Sequence, residues 1–186
     1  MYKEELSVFI SVVLRHNPGA AGITLDKHGW ADVQKMIEGI NATGRRIDME
    51  LLEEIVYTDE KERYSFDDSK KLIRANCSHS ISVDVGLKEA VPPDVLYHGT
   101  ATKSLESIKR EGITSRSRLY VHLSKDIETA EKVGSRHGKS VVLKLNTKKM
   151  VEDGVKFYLS VNNVWLTKYV DAKYIEEEIL GVKYES

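Results

Sequence analysis

Leu6, Phe9, Ile10 and Val13 recur at the 3.6-residue period of an apolar helix face, and the pattern predicts a helix from Lys3 to Arg15. Asn17-Pro18-Gly19 would stop it. Ile23-Thr24-Leu25 reads as a short strand, and Asp26-Lys27-His28-Gly29 as a turn leading into Trp30. Val33, Met36 and Ile37 predict a second helix from Asp32 to Ile40. A third starts at Asp48, a good N-cap, with Ile47 and Leu52 placed as a hydrophobic staple and Leu51, Leu52, Ile55 and Val56 facing inward. Then the period changes. Arg63 to Phe66 and Lys71 to Ala75 read as strands about the polar turn Asp67-Asp68-Ser69-Lys70, so three helices are followed by a hairpin.

Ser78 to Pro93 has weak periodicity and ends in Val91-Pro92-Pro93, which places a lobe boundary near residue 90 and predicts lobes over 1–90 and 91–186. Short strands and helices alternate beyond it. Strands are expected at Val95 to Tyr97, Tyr120 to Leu123, Ser140 to Leu145, Lys156 to Leu159 and Asn163 to Thr167. Helices are expected at Ala101 to Arg110, stopped by Gly112, and at Asp126 to Ser135. The fold class is α+β.

Composition narrows the function classes. A chain of 186 residues with 41% hydrophobic and 31% charged residues is globular rather than disordered. No apolar run approaches the roughly 18 residues of a membrane span. The N-terminus lacks the cationic start and apolar stretch of a signal peptide. A single cysteine, Cys77, cannot form an internal disulfide and fits a reducing cytoplasm; the six histidines lack metal-ligand spacing, so no metal is expected. The net charge of −1 hides an asymmetry. Residues 1–90 hold 12 Lys and Arg against 16 Asp and Glu, and residues 91–186 hold 16 against 13. Neither half is a basic nucleic-acid-coating surface, so a polyanion would have to be held by a local arginine cluster.

Leu14-Arg15-His16-Asn17-Pro18 sets two cationic side chains at a helix end. They could simply oppose the helix dipole, worth about 0.3–1 kcal/mol, or form a phosphate clamp with a titratable partner. Arg74, in Ile73-Arg74-Ala75, could guard an edge strand or bind an anion. The run Ser78-His79-Ser80 puts several hydrogen-bonding groups in a segment with no secondary-structure signal, with His79 read as structural. Tyr97-His98-Gly99-Thr100 lies where a strand gives way to a loop. Its glycine would let a ligand approach the backbone, or Thr100 would merely N-cap the next helix. His122 reads as a satisfied core histidine, and Val133-Gly134-Ser135-Arg136-His137-Gly138 as a glycine-stopped helix. No Gly-x-Gly-x-x-Gly turn, phosphate loop or serine nucleophile elbow is present, and nothing local lowers the pKa of Cys77.

Taken together, these segments resemble the NAD-dependent RNA 2′-phosphotransferases of the KptA type. The resemblance is carried by Leu14-Arg15-His16-Asn17-Pro18, Leu25-Asp26-x-x-Gly29-Trp30, Ile73-Arg74-Ala75 with His79-Ser80, and Leu96-Tyr97-His98-Gly99-Thr100. Arg118-x-x-Val121-His122-Leu123-Ser124, Val133-Gly134-x-Arg136-His137-Gly138 and Phe157-Tyr158-x-Ser160-x-Asn162-x-Val164-Trp165-Leu166-Thr167 complete it in the same order. It implies a winged-helix RNA-binding lobe, an ADP-ribosyltransferase-like NAD lobe and a site in the cleft between them. It implies, too, removal of an internal RNA 2′-phosphate, as at a tRNA splice junction, through an ADP-ribosylated RNA intermediate, giving ADP-ribose 1″,2″-cyclic phosphate and nicotinamide. Arg15, His16, Arg74 and Arg118 correspond to the family's catalytic quartet, with a protonated His16 among the groups stabilising charge on phosphorus. His98, Gly99 and Thr100, with His122, Ser124 and Asn162, correspond to NAD contacts. A cytoplasmic monomer acting on tRNA-like RNA, without metal or membrane, is the expectation. Ser78 and Asn163 stand where the family usually has glycine, and Tyr120 where it commonly has histidine. Two rivals remain: an ADP-ribosyltransferase that leaves ADP-ribose on a protein or nucleic-acid end, and a non-catalytic winged-helix binding module.

Overall fold

Three amphipathic helices and a small sheet form the first of two units into which the chain divides. The computed structural model describes residues 2–180. The first unit runs to Leu87 and takes in Ser117–Leu119; the second comprises Lys88–Arg116 and the chain from Tyr120 onward.

In the first unit, α1 (Tyr2–Arg15) buries Leu6, Ile10, Val13 and Leu14. After β1 (Ala31–Asp32), Asp32 caps α2 (Val33–Ala42) by accepting the Lys35 amide at 2.9 Å. Asp48 caps α3 (Met49–Tyr57) through the Leu51 amide, also at 2.9 Å. Each cap satisfies an N–H that the helix leaves unpaired. Strands β2 (Tyr64–Phe66) and β3 (Leu72–Ala75) complete an antiparallel sheet in the order β1-β3-β2. Its core contains Leu6, Ile10, Leu14, Met36, Ile40, Leu52 and Ile73, all fully buried, each worth about 1.5–3 kcal/mol.

Ile23-Thr24-Leu25 forms no strand. Ala31 and Asp32 occupy the edge of β3 instead, opposite Ile73 and Leu72, so the upstream segment has no ladder to join, and Ile23 contributes only burial.

The second unit carries β4 (Lys88–Glu89), β5 (Val95–Ala101), α4 (Leu105–Glu111), β6 (Ile113–Thr114), β7 (Val121–Leu123), α5 (Ile127–Ser135), β8 (Ser140–Asn146), α6 (Thr147–Glu152), β9 (Tyr158–Leu159), β10 (Trp165–Thr167), β11 (Tyr169–Val170) and β12 (Ile175–Leu180). These make antiparallel sheets ordered β12-β8-β5 and β4-β9-β10-β7, with a β11-β6 pair. Tyr97 and Ser124 link β5 to the chain after β7, each amide donating to the other's carbonyl at 2.8 Å. Leu96, Leu123, Leu143, Leu145 and Phe157 fill the core. Both units are mixed α and β with small antiparallel sheets, which agrees with the α+β expectation.

His98, Gly99 and Thr100 lie within β5, opposite Leu143, Val142 and Val141, and not in a loop after it. Thr100 therefore caps no helix, and α4 starts later, after a 3-10 turn over Thr102–Ser104. Gly99 has a packing role. A Cβ there would fall on the Ala130 carbonyl of α5, and one on Gly134 would lie 2.7 Å from the Thr100 carbonyl. Two glycines let α5 lie directly on β5. Gly134 is thus a packing residue inside the helix, which ends at Ser135 with Arg136 as its C-cap. No helix among the described residues is long and apolar enough to cross a membrane.

Candidate functional site

Arg15 is the last residue of α1, and the chain leaving β3 crosses that helix end. The Ser80 amide donates to the Arg15 carbonyl at 3.0 Å, and the Ser80 hydroxyl lies 2.9 Å from His16 Nδ1. Ser78 turns the chain there with φ at 70°. Left-handed backbone is costly for a residue with a Cβ, and it stands where a glycine was expected. His79 then buries its ring, with 3% of the residue exposed, near enough to Arg15, His16 and Arg74 for all three to depress its basicity.

Arg74 is not an edge-strand guard, because β3 is the central strand of its sheet, and Arg74 pairs with Ser65. Its guanidinium carbon lies 4.5 Å from the centroid of the Trp30 ring, a cation–π stack. Asp26 positions that tryptophan by accepting the His28 and Trp30 amides at 2.8 and 3.0 Å. The lower segment is pinned in turn: the Asp84 amide donates to the Lys27 carbonyl at 2.8 Å, and His28 Nδ1 meets the Asp84 carbonyl at 2.8 Å.

Arg118, placed in the second lobe by sequence, groups with the first unit. The Leu119 amide donates to the His79 carbonyl at 3.2 Å. That bond holds Arg118 close enough to lower the pKa of both Arg15 and His16. The first unit therefore brings Arg15, His16 and Arg74 about the buried His79 imidazole, with Arg118 near Arg15 and His16.

The electrostatics favour an anion. Arg15 Nε, Arg74 Nε and His79 Nε2 are buried without a hydrogen-bond partner; an unmet buried polar atom costs about 1–3 kcal/mol. Burial is the main cause that lowers the Arg15 and Arg74 pKa values, opposed at Arg74 by Asp26. An oxyanion with several oxygens would return the solvation these guanidiniums have lost. His79 falls to about 4, through burial first and then the surrounding cations. His16 is lowered as well, by burial, Arg15 and Arg118.

A second group lies in the second unit. His98 Nδ1 meets the His122 carbonyl at 3.1 Å, joining β5 to β7. Burial lowers the His98 pKa, with Arg116 and His137 adding to it against the pull of the His122 carbonyl. Ser124 is held beside Tyr97 by the paired backbone bonds. Asn162 sits in the turn between β9 and β10, where the Ser160 hydroxyl donates to its Oδ1 at 2.6 Å. Asn163 follows with φ at 59°, a conformation asparagine tolerates. Gly99 shares the strand with His98 and Thr100 but spends its missing side chain on α5.

Sequence reasoning passed over Ser80 as an organiser of His16, Trp30 as the ring beneath Arg74, and Arg116 and His137 as neighbours of His98. The Ser78-His79-Ser80 run was the available signal for the first of these. Among the described residues no group of three or more histidine, cysteine, aspartate or glutamate side chains could hold a metal ion.

A family model described as RNA 2′-phosphotransferase, Tpt1 / KptA family, matches residues 2–169. The chain is 53% identical over 173 residues to a protein of Fusobacterium nucleatum, covering 92% of this chain and 97% of that one. It is 50% identical over 173 residues to one of Flavobacterium johnsoniae, covering 93% and 95%. A protein of Escherichia coli is 44% identical over 173 residues, covering 92% and 94%. All three bear the name "Probable RNA 2'-phosphotransferase". With the match running through both units, the chain belongs to the RNA 2′-phosphotransferase family of Tpt1 and KptA, enzymes that remove a phosphate from the 2′ position of RNA.

Proposed function

We propose that this chain transfers an internal RNA 2′-phosphate, of the kind left at a ligated tRNA splice junction, to NAD+ as co-substrate. In that reaction the phosphate displaces nicotinamide from the NAD+ ribose, and the ADP-ribosylated RNA phosphate so formed resolves to 2′-OH RNA and ADP-ribose 1″,2″-cyclic phosphate. The observation that carries the reading is the gathering of Arg15, His16 and Arg74 about His79, with Arg118 beside Arg15 and His16 and with buried donors that lack partners.

The RNA phosphate is anionic and already a nucleophile, so the first displacement asks for positioning rather than a general base. Arg15 and Arg74 hold the phosphate, their planar forks suited to paired oxygens. Trp30 keeps the Arg74 fork in one plane. His16 adds a directional donor. Arg118 then stabilises the negative charge that develops on phosphorus as the RNA departs.

The second unit's polar set fits a ligand bearing ribose hydroxyls and a carboxamide. His98 is kept neutral, its Nδ1 engaged at the His122 carbonyl, and Trp165 Nε1 is a buried donor without a partner. His98, Thr100, His122, Ser124 and Asn162 would hold NAD+ by such hydrogen bonds, and Gly99 would let α5 close on the strand that carries them. The element order α1-β1-α2-α3-β2-β3 supports a winged helix for the first unit. The antiparallel sheets of the second support an ADP-ribosyltransferase-like lobe.

The test is to incubate the protein with NAD+ and an RNA carrying a single internal 2′-phosphate, and to identify both products. ADP-ribose cyclic phosphate with 2′-OH RNA is expected. Stable ADP-ribosylation would make the chain a transferase of ADP-ribose, and binding without turnover would make it a binding module.

A further inference from the structure

Ser80 is pinned at its backbone, because its amide donates to the Arg15 carbonyl at 3.0 Å. His16 is pinned as well, its amide donating to the Val12 carbonyl at 2.9 Å. The Ser80 hydroxyl and His16 Nδ1, 2.9 Å apart, are therefore presented to each other by two fixed backbones. A hydroxyl can donate or accept, so this contact is compatible with either neutral form of the ring. The surroundings decide between them. A phosphate held by Arg15 and Arg74 presents only acceptor oxygens to the far nitrogen of His16, and a lone pair on Nε2 would repel them. For the neutral ring, a proton on Nε2 suits such a ligand, and Nδ1 then accepts from the Ser80 hydroxyl.

We infer that Ser80 is a positioning residue for the transfer reaction: by donating to Nδ1 it holds His16 as the Nε2–H tautomer and aims that N–H at the RNA phosphate. The inference rests on the phosphate-transfer reading of the Arg15, His16, Arg74 and Arg118 group. It gives the Ser78-His79-Ser80 run a division of labour. The His79 carbonyl holds the Leu119 amide, and the Ser80 hydroxyl orients the imidazole. Ser80 itself is exposed, so removing its hydroxyl leaves no cavity in the core, and its amide still caps Arg15.

The experiment takes the full chain, labelled with 15N, and records long-range proton–nitrogen correlations of the His16 ring above pH 7, with inorganic phosphate present, in wild type, Ser80→Ala and Ser80→Thr. The wild-type ring is expected in the Nε2–H form alone. Ser80→Ala should admit a detectable Nδ1–H population and lower kcat about fivefold, the worth of one neutral hydrogen bond, with KM for NAD+ unchanged. Ser80→Thr, which keeps the hydroxyl, should restore both. A wild-type ring protonated at Nδ1, or a Ser80→Ala ring with the wild-type pattern, would overturn the inference. Absence of turnover by the wild type would defeat the phosphate-transfer reading instead, while the ring spectra, recorded without substrate, still judge Ser80.

Discussion

Taking the protein from pH 7 to pH 5 should cost about 2 kcal/mol of stability through His79 alone. The residue is 3% exposed. Burial, followed by Arg15, His16 and Arg74, lowers its pKa from an ordinary 6.5 to about 4. Unfolding restores the ordinary value, so between the two the unfolded chain holds a proton that the folded chain refuses. The contribution is therefore complete above pH 6.5 and is lost as pH falls toward 4. At about 1.36 kcal/mol per unit the full gap corresponds to about 3.4 kcal/mol, of which about 2 has gone at pH 5. Urea unfolding followed by circular dichroism, at pH 7 and pH 5, measures it in wild type and in His79→Gln. Glutamine keeps the backbone carbonyl that receives Leu119 and does not titrate. Carboxylates and the other histidines titrate in both proteins, so the difference between the two pH dependences isolates His79. If His79→Gln loses as much stability as wild type over this range, the buried, cation-surrounded imidazole is not what couples the fold to protons.

The remaining expectations concern packing and the cation group. Gly99→Ala should lower stability by about 2–3 kcal/mol in urea titrations, because the new methyl meets the Ala130 carbonyl and α5 must lift from β5. Arg74→Lys should reduce kcat/KM on 2′-phosphorylated RNA about 100-fold, since an ammonium has no planar fork to stack on Trp30 and grip two oxygens at once; turnover within a few fold of wild type would contradict the clamp. Arg118→Ala should let ADP-ribosylated RNA accumulate more than Arg15→Ala does on denaturing gels, and equal accumulation would sink their separate roles. Ser78→Gly should stabilise the protein by about 1 kcal/mol by relieving a serine at φ 70°, whereas Asn163→Gly at φ 59° should change it by less than about 0.5; a thermal melt of each variant decides.

Helical periodicity located α1, α2 and α3 closely, because each hides one face in a common core and begins or ends at a recognisable residue: Asp32, Asp48 and the Asn17-Pro18 break. Two-residue strands left no such trace. Ala31–Asp32 is too short to alternate, yet by pairing with β3 it makes Arg74 a central-strand residue and removes the edge-guard explanation. The His98-Gly99-Thr100 segment looked like a loop because glycine and threonine follow a histidine there. Its strand character comes from seven residues of pairing with β8, which is tertiary. The four residues of the cation group were all legible as types that bind phosphate. Their assembly was legible only through the family resemblance, because it depends on the Ser80 amide, the His79 carbonyl and a left-handed Ser78, backbone features on which composition is silent.

The bond from the Leu119 amide to the His79 carbonyl also sets a clock on biosynthesis. Everything else in the first unit has left the ribosome's active centre once Leu87 is joined, but Ser117–Leu119 has not. At ~5–20 residues per second the interval lasts seconds, long compared with the formation of a helix or hairpin. During those seconds the nascent chain contains Arg15, His16 and Arg74 but not Arg118. In the proposed reaction, the residues that grip the phosphate are thus made seconds before the one that stabilises the departing RNA.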